Sequence, residues 1–128
     1  MDLEVRVERA AARLSADYAR LLDGRDAEAW SELFAADAQL NFGERRIVGR
    51  DAIREFGAAS VPGVHLSGPV AVTSYGETIT CESAFVFANS RTGAVLAGYY
   101  RDELAWSEQR LVFVVREIDL RVPAPTHG

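Results

Sequence analysis

Lysine is absent from this 128-residue chain, and all 14 of its basic residues are arginines. Schiff-base catalysis and a phosphate-loop lysine are thereby excluded, and no glycine-rich phosphate cradle accompanies the gap. The arginines are scattered against 19 acidic residues, for a net charge of -5. With no basic cluster there is no electrostatic footprint for nucleic acid or an anionic membrane, and neither is expected as a partner. Cysteine is nearly missing as well. Cys81 stands alone, so an internal disulfide and a cysteine-built zinc site are both ruled out, and neither metal nor cofactor is expected. The first residues, Met1-Asp2-Leu3-Glu4, are acidic and lack the apolar segment of a secretion signal, so a cytoplasmic location is expected. Long apolar runs are also lacking: a stretch such as Leu111 to Val115 is far too short to span a bilayer. Histidine occurs twice, as His65 and His127.

What is present suits one globular domain, residues 1–122, with 48% hydrophobic residues and enough length to bury a core and a small cavity. From Leu3 to Leu22 the apolar residues Val7, Ala10, Ala11, Leu14, Tyr18, Leu21 and Leu22 recur at threes and fours, the signature of one helix with an inward stripe. Gly24 is placed to close it as a left-handed residue. Asp26 suits the N-cap of a second helix, Ala27 to Phe34, burying Trp30, Leu33 and Phe34. Ala38 to Val48 reads as a hairpin broken near Gly43-Glu44, and Arg50 to Ala59 as a third helix with Asp51 in its first turn and Ile53 and Phe56 facing inward. Four runs rich in Val, Phe, Tyr, Ile and Thr follow: Val64 to Ser74, Thr78 to Asn89, Ala94 to Trp106 and Arg110 to Val122. Helices first and strands after predict an α+β fold, with three N-terminal helices packed on one face of a strongly curved, mostly antiparallel sheet. Residues 123–128 read as a disordered tail, which leaves His127 without a catalytic role.

Three ionisable residues sit where local rules do not favour them. His65 interrupts an apolar strand, Val64-His65-Leu66, and is either a satisfied core histidine or a base able to move protons near neutral pH. Asp102 shares a strand face with Gly98, Tyr100, Leu104 and Trp106. A carboxyl there either faces a pocket in protonated form, donating to a substrate oxygen, or pairs with Arg116, which a hairpin closed at Ser107-Glu108-Gln109 would bring nearly opposite. Asp23 stands in the last turn of the first helix, at the unfavourable end of the dipole. It is either a solvated turn residue or a desolvated carboxylate that holds His65 in one tautomer.

The segments Tyr18-Ala-Arg-Leu-Leu-Asp23-Gly-Arg-Asp26, Trp30, Leu33-Phe34-Ala-Ala-Asp37-Ala38 and Gly49-Arg-Asp-Ala-Ile53-Arg-Glu-Phe56 resemble the helical half of the SnoaL-like domains. These belong to the nuclear-transport-factor-two-like superfamily of cone-shaped, cystatin-like α+β rolls, and the resemblance extends to about residue 120. It implies that Asp23 and His65 match the aspartate-histidine dyad of scytalone dehydratase, hexachlorocyclohexane dehydrochlorinase and bile-acid dehydratase. Against steroid delta-isomerase, Tyr18 and Asp102 fall on the two oxyanion donors, while Phe42 replaces the general-base aspartate. The tyrosine and second histidine of scytalone dehydratase are replaced as well, at Phe42 and near Ala88. The resemblance implies a cofactor-independent lyase, of dehydratase type, acting on a small apolar hydroxylated or carbonyl metabolite. An isomerase or cyclase with the same dyad, or a non-catalytic binding or dimerisation module, is the alternative. Tyr18, Asp102, Trp30, Phe42, Phe85, Phe87 and Tyr100 are the candidate substrate-binding residues, and a homodimer is expected, with exposed Tyr99 compatible with one.

Overall fold

The computed structural model describes residues 2–123, and the expected 123–128 tail with His127 lies outside them from residue 124 on. Helix α1 (Leu3–Asp23) starts at an N-cap, Asp2, whose side chain accepts from the Glu4 N–H at 2.7 Å. It buries Val7, Ala11, Leu14, Tyr18 and Leu22 along one stripe, as the spacing predicts. Its exit differs from the expectation in one detail. Gly24 has φ −75°, and the left-handed residue is Arg25, at φ 62°. The cap bonds fall on successive residues, Gly24 N–H to Arg20 O, Arg25 N–H to Leu22 O and Asp26 N–H to Leu21 O, so the reversal comes one residue late. The Arg25 guanidinium then reaches Ser60 Oγ and the Ala58 carbonyl, both at 3.3 Å, tying this corner to the end of the third helix.

Helix α2 (Ala27–Ser31) is capped by Asp26, which accepts from the Ala29 N–H at 3.0 Å. It stops short of Phe34, which was expected to be helical. Phe34 instead begins strand β1 (Phe34–Phe42), because it pairs in parallel with Phe113 and the Phe113 N–H bonds to the Leu33 carbonyl at 2.9 Å. Pairing across the sheet overrides a weak local helical preference. β1 turns through Gly43, at φ 60°, into β2 (Arg45–Val48), and helix α3 (Arg50–Ala58) follows.

The remaining strands are β3 (Gly63–Ser67), β4 (Ala71–Tyr75), β5 (Ile79–Asn89), β6 (Val95–Ser107) and β7 (Arg110–Val122). The expected single run Val64 to Ser74 is thus two strands, with Pro69 between them and no N–H there for a ladder. β3 pairs with the second half of β5 and β4 with the first. The order is β2-β1-β7-β6-β5-β3 with β4 also on β5, and every pairing is antiparallel except β1 with β7. Register shifts at Val72/Ser74, Ala97/Gly98 and Glu103/Leu104 bend the long strands, as bulges do, and curl the sheet around the helices. The core lies between the layers: Trp30 packs on Phe34 at 5.1 Å between ring centroids, Phe34 on Phe113 at 5.0 Å, and Tyr18 on Trp30 at 5.5 Å. Gly57 permits this closeness, since a Cβ there would lie 2.6 Å from the Trp30 ring.

Candidate functional site

Strand β3 inverts the usual alternation. Val64 and Leu66 point outward at 64% and 72% exposure, while the side chain of His65 turns inward and is mostly buried. There it meets the end of α1. Asp23 Oδ1 lies 2.6 Å from His65 Nδ1, and Asp23 Oδ2 accepts from the His65 backbone N–H at 2.7 Å. Those two bonds offset the unfavourable place of a carboxylate at a helix C-terminus. With Nδ1 engaged, Nε2 is the ring nitrogen left to exchange a proton. A separation beyond about 4 Å, outside hydrogen-bond reach, would have favoured a binding module.

His65 lines a partly open cavity of about 700 Å³, walled mostly by apolar residues. Of the residues expected around a substrate, Tyr18, Phe42, Phe85, Phe87 and Tyr100 all line it. The His65 ring sits 4.5 Å from that of Phe87, Phe85 stacks on Tyr100 at 4.4 Å, and Tyr18 meets His65 edge-on at 6.3 Å. Burial raises the Tyr18 and Tyr100 phenols above their ordinary value while Arg116 pulls the other way, so both remain proton donors at neutral pH.

Two expected residues are elsewhere. Trp30 is a core residue at 0% exposure and does not reach the cavity, because the short α2 points it at Phe34 and Tyr18. Asp102 does not line the cavity either. β6 and β7 set it opposite Arg116, with Nε 3.1 Å from Oδ1, and both side chains are almost fully buried. The approach is off the line of a hydrogen bond, so the contact is chiefly coulombic. Desolvation pushes Asp102 up to about 6 despite the pull of Arg116. The guanidinium also stacks on Tyr100, Tyr18 and Phe113, at 3.4, 4.1 and 4.5 Å from the ring centroids. The Asp102–Arg116 pair therefore backs the two tyrosines from behind the cavity wall.

The outer wall went unread in the sequence. Arg45 and Arg46 on β2, with Glu55 and Phe56 on α3, are among the residues that line the cavity, and all but Phe56 are exposed. Phe56 was legible only as an inward helix residue, and the arginines of a four-residue strand carry no periodic signal. Among the described residues no three His, Cys, Asp or Glu side chains gather as a metal site requires, and no helix is long and apolar enough to cross a membrane.

Comparison with known proteins fits this fold. No curated protein matches the chain. Among solved structures, an NTF2-like protein with a cystatin-like fold from Novosphingobium aromaticivorans has a TM-score of 0.77 at 27% identity, over 93% of this chain and 85% of that one. A provisionally assigned scytalone dehydratase from the same organism has a TM-score of 0.75 at 20% identity, over 93% and 87%. The beta subunit of a provisionally assigned aromatic-ring-hydroxylating dioxygenase, again from that organism, has a TM-score of 0.78 at 18% identity, over 93% and 92%. At such identities these last two show a shared fold. The model of the SnoaL-like domain matches residues 4–117, nearly the whole chain, and the protein belongs to that family.

Proposed function

We propose that the protein is a cofactor-independent lyase that dehydrates a small, largely apolar metabolite bearing a carbonyl and a hydroxyl group. The observation carrying this reading is the two-point hold of Asp23 on His65 at the wall of an apolar cavity. Nε2 of neutral His65 takes a proton from the carbon beside the carbonyl, and the electrons of that C–H bond form the new double bond. The imidazolium so made is stabilised by Asp23 and by the negative end of α1. Tyr18 donates a hydrogen bond to the carbonyl oxygen as it gains negative charge. The hydroxyl then departs with the proton returned by His65, leaving an unsaturated carbonyl product and water.

The test uses a panel of small β-hydroxy ketones and acids, with the conjugated product followed by its absorbance. General acid-base catalysis contributes about 10²- to 10⁴-fold, so His65→Gln is expected to lose at least about 100-fold. Turnover that survives this substitution intact would remove the mechanism.

The same reading includes a homodimer. Val64, Leu66, Val86, Val95 and Tyr99 are all exposed on the outer sheet face, and the pairs Leu66↔Val86 and Val64↔Ala88 make that apolar surface continuous between β3 and β5. A patch of this kind favours self-association. Light scattering should give twice the monomer mass, and Val86→Asp should return the monomer; a monomeric wild type would refute it.

A further inference from the structure

The mouth of the cavity differs in charge from the molecule around it. The chain carries -5 overall, yet the cavity face of β2 presents a guanidinium: Arg45 pairs with Phe42 on the side that lines the cavity, while Arg46 pairs with Asn41 on the other. Arg45 lies 5.2 Å over the Phe56 ring, and Phe56 is 6.3 Å from Phe42, so an aromatic pair seats this cation at the rim. Among the described residues the Arg45 guanidinium has no ion-pair or hydrogen-bond partner, unlike that of Arg54 close by, which faces Asp51 and Glu28. A guanidinium stacked on a ring keeps its N–H edge free and matches a carboxylate in a fork-like, two-bond geometry. The proton-moving pair, His65 and Asp23, lies on a different element, β3 against α1, and the wall between is apolar.

We infer that the substrate is an amphiphilic carboxylate, whose anionic group is held at the rim by Arg45 while its apolar body reaches His65. This rests on the cavity being the substrate site, as proposed above, and adds the charge of the molecule that fills it. Glu55 on the same rim disfavours a second anionic group, which points to a monoacid.

The experiment compares 2-naphthoate with 2-naphthylmethanol, which share one ring system and differ in charge. Each is titrated into the full-length protein while the His65 imidazole signals are followed by NMR. Both probes are expected to shift those signals, the carboxylate binding about tenfold more tightly, as one charge-assisted contact allows. The Arg45→Gln variant, with its fold checked by circular dichroism, should lose that preference and keep its affinity for the alcohol, whereas Arg46→Gln, on the other face of β2, should keep the preference. Glu55→Gln should strengthen the carboxylate only. Equal affinities in the wild type, or a preference that survives in Arg45→Gln, would overturn the anionic substrate and leave the cavity reading standing. Failure of both probes to perturb His65 would overturn the cavity reading and this inference with it.

Discussion

Asp23 holds His65 at both its ring and its backbone, 2.6 Å from Nδ1 and 2.7 Å from the main-chain nitrogen. One carboxylate thereby sets the position of β3 against α1 and the orientation of the imidazole. Position and chemistry should fail together when it is altered.

Asp23→Asn leaves a single carbonyl oxygen to accept two bonds and removes the charge that stabilises an imidazolium. Turnover should fall by about 100-fold or more, within the range of acid-base catalysis, and unfolding in urea should show a loss of about 1–3 kcal/mol from the unsatisfied partner. A variant with full activity would dissociate Asp23 from the chemistry.

Tyr18→Phe keeps the ring that packs on Trp30, Tyr100 and Phe113 and removes only the hydroxyl. If that hydroxyl stabilises developing charge, kcat should drop by about 10²- to 10³-fold with little change in KM. A rise in KM at constant kcat would assign Tyr18 to ground-state binding.

The buried Asp102–Arg116 pair makes stability depend on pH in a stated direction. Asp102 titrates at about 6 in the folded protein and near 3.9 in the unfolded chain. Between those values the folded state binds more protons, so this group's contribution to the unfolding free energy rises as pH falls from 6 towards 4. Urea unfolding from pH 7 to 4.5 should therefore show wild type gaining on Asp102→Asn, which has nothing to titrate there. Arg116→Met removes the cation that lowers Asp102, so the titration should move above 6, with a cost of about 3–5 kcal/mol for a broken buried pair.

Gly63 opens β3 with no room for a side chain: a Cβ would collide with the Ala88 carbonyl oxygen and lie 2.5 Å from Phe87 Cζ. Gly63→Ala should cost about 1–3 kcal/mol, as overpacking does. Because the strain falls two residues from His65, activity should fall as well at temperatures where the fold persists. Thermal melting beside the turnover assay separates the two losses.

The helices were legible because each carries its own signal: the stripe from Val7 to Leu22 and the Asp26 cap need no partner to be recognised. The long strands were legible from alternation, which correctly set Tyr100, Asp102 and Leu104 on one buried face of β6. Boundaries that depend on a distant strand were not. Phe34 is drawn into β1 by Phe113, nearly eighty residues later, and nothing beside it in the chain announces that.

At the site the division is similar. His65, Asp23 and the cavity aromatics could be nominated from residue type, position and family resemblance. Trp30, by the same criteria, could not be told from a cavity wall, since an aromatic on a short helix faces whatever the next layer offers. Asp102 had two readings, and the β6–β7 register that sets Arg116 opposite it chose the ion pair. Arg45 acquired significance only when the β1–β2 hairpin and α3 brought it over Phe56 beside the cavity. Sequence alone thus determined the order of helices before strands and the faces of the long strands, because periodicity and capping act over a few residues, and the family, through the resemblance of whole segments. Tertiary structure decided which carboxylate meets the histidine and which meets an arginine. Desolvation and pairing depend on what the fold brings opposite each group, and that is not written within any one segment.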